Sequence, residues 1–147
     1  MTRPDLAALL RVQERDTGLE RLRYRRSTLP EREAIRERRA LEGELVARAD
    51  TTRRDRDVAL TEEGRLDGEA QQLTRRAKEV DGKLYSGTVS SPRELLDMQA
   101  DIDQLDRHRA VIEEQELEVM ERRESLDTEL ASLEAELVGL RAELVEL

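Results

Sequence analysis

Apolar residues recur every seven positions through the second half of the chain. One series is apolar at all eight positions: Met98, Leu105, Ile112, Val119, Leu126, Leu133, Leu140 and Leu147. A second series, offset by three residues, has three polar positions in its middle: Leu95, Ile102, Arg109, Glu116, Arg123, Leu130, Leu137 and Leu144. A heptad pattern sustained over this length predicts a long helix in a left-handed coiled coil.

The first half of the chain has a weaker seam of the same kind. From Ile35 onward, steps of three and four residues pass through Leu45, Ala49, Thr52, Arg56, Ala59, Glu63, Leu66, Ala70, Leu73, Ala77, Val80 and Leu84. This series is rich in alanine and polar in its middle, and Gly64, Gly68 and Gly82 reduce helix propensity. A helix of this composition needs a packed partner for stability.

Between the two seams lies a connector, Leu84 to Leu95, that reads LYSGTVSSPREL. Gly87 permits a positive φ angle. Ser91 suits a helix N-cap, Pro92 suits the first helical position, and Glu94 completes a capping box. We therefore predict an all-α fold, an antiparallel coiled-coil hairpin that turns at this connector.

Folding the chain at Gly87 predicts a register in which facing seam residues have numbers that add up to about 178 or 179. The facing pairs are then Leu84 with Leu95, Val80 with Met98, Ala77 with Ile102, Leu73 with Leu105, Leu66 with Ile112 and Leu45 with Leu133. The same register places the polar stretches of the two arms, Thr52–Glu63 and Arg109–Arg123, opposite each other, although it was chosen from the turn alone.

Pro30 interrupts the helical pattern near the N-terminus, because proline has no amide donor and disfavours a helical conformation at the residue before it. We predict a kink or break at Thr28–Pro30. The predicted organisation is an N-terminal helix and overhang (1–29), arm one (30–84), the turn (85–91) and arm two (92–147). Residues 1–30 have no intramolecular partner in this register. Because the seam is still in phase at Leu147, we expect either a longer chain or an overhang that pairs with another molecule.

Composition agrees with this architecture. Of 147 residues, 41% are charged and 37% hydrophobic, with no Phe or Trp, which is typical of long helices and not of a thick globular core. Residues 84–147 carry 17 acids and 6 bases (net −11), whereas residues 1–83 carry 18 acids and 20 bases (net +2). This asymmetry favours antiparallel pairing of the arms. Absence of cysteine excludes disulfides, and we expect a cytoplasmic protein that does not cross a membrane.

Residues 84–109 resemble the signature of a bacterial family of coiled-coil proteins that end in a four-cysteine zinc ribbon. The matching positions are Leu84, Tyr85, Ser86, Gly87, Pro92, Glu94, Leu95, Gln99, Asp101, Ile102, Leu105 and Arg107. The resemblance implies a hairpin with the ribbon near its open end, and the family is usually described as nucleic-acid-binding. Some members act as adaptors that touch transcription or export components. The ribbon is absent here, so zinc is implied only for a full-length member and this chain is expected to hold no cofactor.

A basic stretch is the first candidate binding surface. Residues 21–39 carry three acids and eight arginines, namely Arg21, Arg23, Arg25, Arg26, Arg32, Arg36, Arg38 and Arg39. These side chains could pair with acidic residues of the other arm near Glu134, Glu136 and Glu143, bind a phosphate backbone, or bind a protein. Tyr24 is the one aromatic residue available there for base stacking.

The turn is the second candidate surface, formed by Tyr85, Ser86, Gly87, Thr88 and Val89. Tyr85 could cover the end of the seam while the serines cap the helices, or the exposed tip could dock a partner.

No catalytic or metal site is predicted. His108 has no cysteine partner, and the acidic pairs Asp101/Asp103 and Glu113/Glu114 lie one or two residues apart, off a common helix face. The leading hypothesis is a non-enzymatic adaptor or scaffold that binds proteins through its arms or tip. The alternative is nucleic-acid binding by the Arg21–Arg39 region together with a C-terminal zinc ribbon. A monomeric hairpin and a homodimer through residues 1–30 both remain open.

Overall fold

A computed structural model describes residues 2–147, in which all regular secondary structure is helical. The helices are α1 (Arg3–Ser27), α2 (Pro30–Tyr85) and α3 (Pro92–Glu146). The chain divides into two compact units. The first joins the described residues up to 47 with residues 135–147, and the second is the continuous segment 48–134. The all-α prediction is confirmed.

The break predicted near Pro30 separates α1 from α2. The amide of Thr28 closes α1 by donating to the carbonyl oxygens of Tyr24 at 3.0 Å and Arg25 at 3.3 Å. At the other end of α1, the carboxylate of Asp5 accepts hydrogen bonds from the hydroxyl and the amide of Thr2, and these bonds lower the pKa of Asp5. Because Pro30 has no amide donor, it is compatible with the first turn of a helix and not with the interior.

The second unit is an antiparallel helical hairpin. Its α2 segment runs to Tyr85, and α3 returns from Pro92 after the turn at residues 86–91. Leu66 and Ile112, which the predicted register pairs, lie in one buried cluster with Ala70, and Leu73 and Val119 pack against it. Along both helices of this unit, every position of the predicted seams is buried or half-buried.

In the first unit, the beginning of α2 lies beside the end of α3. Arg38 Nε is 3.0 Å from Glu143 Oε2, and Arg141 Nε is 2.8 Å from Glu42 Oε1. The buried apolar residues of this unit are Leu45, Leu137 and Leu140. In contrast, no residue of α1 is buried.

A polar layer interrupts the seam of the second unit. The simple register places Glu63 opposite Glu116 and Arg56 opposite Arg123, both of which are like-charged pairs. The structure avoids this with a diagonal contact, in which Arg123 Nε lies 2.6 Å from Glu63 Oε2 with about a fifth of each side chain exposed. Arg123 also binds Asp127 at 3.1 Å. The attraction between these two half-buried side chains partly offsets the free-energy cost of removing their charges from water. The neighbouring leucine positions of the seam carry no such cost.

Glu116 forms no ion pair with a described basic side chain. Its pKa is raised, first by burial and then by the negative charges of Asp67, Glu63 and Glu113. Two helical turns away, Arg109 Nε is buried without a hydrogen-bond partner and lies 3.6 Å from Glu113 Oε1. The layer therefore holds an excess of negative charge centred on Glu116.

Removal of Arg123 should destabilise the hairpin. Arg123→Ala leaves Glu63 half-buried beside Glu116 and Asp67 without its arginine partner, and we expect the midpoint of urea unfolding to fall below that of wild type. Urea titration followed by circular dichroism measures this. The matched control Arg122→Ala, at an exposed neighbouring position, should change stability by less than about 0.5 kcal/mol. Equal effects of the two variants would show that the Arg123 contact contributes nothing.

Neutralisation of Glu116 should stabilise the protein at neutral pH. A carboxyl group whose pKa is raised by folding binds protons more tightly in the folded state, so its contribution to stability is lost as pH rises through that pKa. We therefore expect Glu116→Gln to melt higher than wild type at pH 7, and the difference to vanish as pH falls towards the ordinary value of 4.5. Thermal melts over this pH range test the prediction, with Glu118→Gln at an exposed position as control. A difference independent of pH would contradict it.

Candidate partner-binding surfaces

The turn at residues 86–91 is held by hydrogen bonds around one serine. Ser86 Oγ donates to the carbonyl oxygen of Lys83 at 2.8 Å and lies 2.7 Å from Thr88 Oγ1. Gly87 adopts a φ of 74°, as its position predicts, so a side chain there would be strained. On the far side, the amide of Leu95 donates to Ser91 O at 3.1 Å, which begins α3. The turn is therefore an ordered element with a defined surface.

The tip exposes the large side chain of Tyr85. Tyr85 is 79% exposed, so its ring does not cover the end of the seam, and that interpretation of the residue is wrong. Val89 is half-buried, whereas Ser86, Gly87 and Thr88 are exposed. An exposed tyrosine at an ordered turn is the type of residue that concentrates binding energy in protein interfaces.

Sequence reasoning missed a further apolar residue close to the turn. Leu96 is 71% exposed in the first turns of α3. The sequence does contain a signal for this residue. Leu96 follows the seam residue Leu95 and belongs to neither heptad series, so it does not face the partner helix.

The basic stretch is largely free of the opposite arm. Of its eight arginines, Arg38 alone forms a described ion pair with α3, to Glu143. Arg36 pairs within its own helix with Glu33 at 3.2 Å, and Arg32 donates to the carbonyl oxygen of Arg26 at 3.3 Å. The side chains without any described ion pair are Arg21, Arg23, Arg25, Arg26, Arg32 and Arg39, all exposed. Neutralisation by the other arm therefore explains one of the eight arginines.

Other candidate residues lie on exposed helix surface. The His108 side chain is 54% exposed, with Nε2 3.9 Å from Glu69 Oε1. The acidic pairs Asp101/Asp103 and Glu113/Glu114 are exposed as well. Over residues 2–147, no three His, Asp or Glu side chains are arranged to hold a metal ion.

The four-cysteine zinc site implied by the family resemblance does not fit these residues, because the chain contains no cysteine. Within the described part of the chain, no helix combines the length and apolar content needed to span a bilayer.

Comparison with known proteins agrees with this fold. A model of the CT398-like coiled coil hairpin domain matches residues 12–147. Two proteins of Mycobacterium tuberculosis, from two strains, are 29% identical over 122 residues; they are named uncharacterized protein MT2288 and uncharacterized protein Rv2229c. The match covers 83% of this chain and 49% of each relative, so the chain spans about half the length of the curated relatives it matches. No solved structure matches it.

The family model covers all of α2, the turn and α3, together with more than half of α1. The chain therefore belongs to the CT398-like coiled coil hairpin domain family.

Proposed function

We propose that this protein is a non-enzymatic adaptor that binds a protein partner through the tip of its hairpin. The observation that carries the proposal is the exposure of Tyr85 at the end of α2, directly before an ordered turn. A tyrosine ring gives a large contact area with few rotatable bonds, so its immobilisation on binding costs little entropy. Leu96, on the other side of the turn, adds a second exposed apolar side chain.

The tip suits docking because its backbone is already ordered. Ser86 links the end of α2 to Thr88, and the positive φ of Gly87 reverses the chain. A partner that binds a preorganised turn does not have to order it, which preserves affinity for a small contact area.

The adaptor role also accounts for the absence of catalytic groups. His108 and the acidic pairs Asp101/Asp103 and Glu113/Glu114 lie on exposed helix surface. Asp101 and His108 share a surface pocket with Arg76 and Leu105, and we assign neither a role as general acid or base. We place the adaptor in the cytoplasm, without a cofactor in this chain.

Truncation of the tip should abolish partner binding without unfolding the hairpin. We expect Tyr85→Ala with Leu96→Ala to lower the affinity for the partner at least about tenfold, because exposed aromatic anchors dominate such interfaces. The experiment captures proteins from extracts of the native cell with tagged wild type and variant, and then measures affinity with the purified partner.

The matched control is Val58→Ala with Leu60→Ala, which removes two exposed apolar side chains from α2. It should retain the partner. Thermal melts of both variants should match that of wild type. If the tip variant binds as wild type does, or if it fails to fold, the tip is a structural element and the proposal is wrong.

A second candidate function, nucleic-acid binding, is supported by the unpaired arginines. Arg21, Arg23, Arg25 and Arg26 lie within two turns of α1, are exposed and form no described ion pair through their side chains. Such a cluster can neutralise phosphates, with a zinc ribbon in a longer family member as a second contact.

This second function predicts a steep dependence on salt. Fluorescence anisotropy with a single-stranded RNA should give a logarithmic slope of about −3 against salt concentration for four phosphate contacts. Replacement of Arg21, Arg23, Arg25 and Arg26 by Gln should flatten the slope, whereas Arg54→Gln with Arg75→Gln, on exposed α2 positions, should have a smaller effect. Absence of binding at low salt would contradict the function.

A further inference from the structure

Helix α1 has two chemically different halves. Its first half exposes apolar side chains by about half of their surface: Leu6 52%, Leu9 54%, Leu10 53% and Val12 56%. Its last two turns carry four arginines without a described side-chain ion pair, and Leu19 and Leu22 lie nearby at 47% and 62% exposure. A helix with this much unburied apolar surface is marginal by itself and gains stability from a partner.

Helix α3 has a second stripe on the side away from its core seam. Steps of three and four residues, all exposed, pass through Glu114, Leu117, Glu121, Glu124, Thr128, Ala131, Ala135, Val138, Ala142 and Val145. We call these ten residues the outer stripe. Val138 is 68% exposed and Val145 87% exposed. A heptad pattern on a solvent-facing side is what a further helix in a coiled coil would need.

The outer stripe, like α1, has one apolar half and one charged half. Its C-terminal half consists of alanine and valine, and its N-terminal half carries Glu114, Glu121 and Glu124, none of which forms a described ion pair. The small side chains of the apolar half leave room for leucine side chains of a second helix, and the carboxylates match arginines in charge.

The two surfaces match in one orientation only. When α1 lies antiparallel to α3, the apolar half of α1 faces the apolar half of the outer stripe, and the arginines of α1 face its glutamates. The spacing also agrees, since 15 positions separate Leu10 from Arg25 and 14 positions separate Val138 from Glu124. Antiparallel packing thus places Leu10 near Val138 and Arg25 near Glu124 in the same alignment.

We propose that α1 of one copy docks antiparallel on the outer stripe of a second copy, and that the exchange is reciprocal. Each chain offers one α1 and one outer stripe, so a twofold dimer satisfies both surfaces of both chains in a closed assembly. The dimer joins 2 basic segments to 2 acidic segments, and high salt therefore weakens it. This inference is independent of partner binding at the tip.

Disulfide trapping tests the contact directly, because the chain has no cysteine. A mixture of the single variants Leu10→Cys and Val138→Cys should form a disulfide-linked heterodimer under mild oxidation. Val58→Cys is the matched control for Val138→Cys, with 69% exposure against 68%. It should give little crosslinking to Leu10→Cys.

Charge reversal tests the electrostatic half of the contact by sedimentation equilibrium. Arg21→Glu with Arg25→Glu should weaken dimerisation at least about tenfold, as should Glu121→Arg with Glu124→Arg, and a mixture of the two variants should restore it. Arg54→Glu with Arg75→Glu changes the net charge equally on exposed α2 positions and should weaken it much less.

Several results would overturn the proposal. A wild-type chain that stays monomeric at about 100 µM and low salt has no such dimer. A double variant Leu10→Cys/Val138→Cys that closes within one chain would show that α1 docks on its own α3. A dimer insensitive to the arginine changes uses a different surface, and a monomer that binds single-stranded RNA through the same arginines assigns them to nucleic acid.

Discussion

The fold depends on burial of large side chains of α3 against small side chains of α2. The buried apolar residues of α3 are Ile112 and four leucines, whereas α2 contributes three alanines and two leucines. With no phenylalanine or tryptophan and little buried surface per residue, neither helix has a core of its own. Alanine on one side allows close approach of the helices, and leucine on the other supplies most of the apolar area removed from water.

The polar layer adds specificity to this apolar contact. An uninterrupted leucine seam is nearly equivalent after a shift of seven residues, so alternative registers would differ little in energy. A shifted register would separate Arg123 from Glu63 and leave each charge half-buried without its partner. The correct register avoids this desolvation cost because the two charges pair. The same layer holds Glu116 in surroundings that disfavour its charge, as its raised pKa shows.

The exposed surfaces are the features on which our proposals depend. The structure exposes two unlike surfaces, and both enter our proposals as binding surfaces. The tip exposes Tyr85 beside the hydrogen-bonded turn, whereas α1 and the outer stripe each combine an apolar and a charged half along a helix. The tip suits a contact of small area, whereas α1 and the outer stripe suit packing of one helix on another.

Much of the fold could be predicted from the sequence because it is encoded locally and periodically. The heptads of α3, the break before Pro30 and the turn at Gly87 each depend on neighbouring residues and on helical geometry. The predicted seams were confirmed position by position from Leu45 to Leu84 and from Leu95 to Leu144, since a period of seven fixes which side of a helix faces its partner.

The candidate sites were harder to predict from the sequence. Exposure and ion pairing depend on the positions of the polar tips of long side chains, which the heptad pattern does not fix. Only the tertiary structure decided that Tyr85 points into solvent, that one arginine of the basic stretch reaches the opposite arm, and that Arg123 crosses diagonally to Glu63. A seven-residue repeat specifies the layer in which a residue lies. It does not specify which of several charges within a side chain's length becomes its partner.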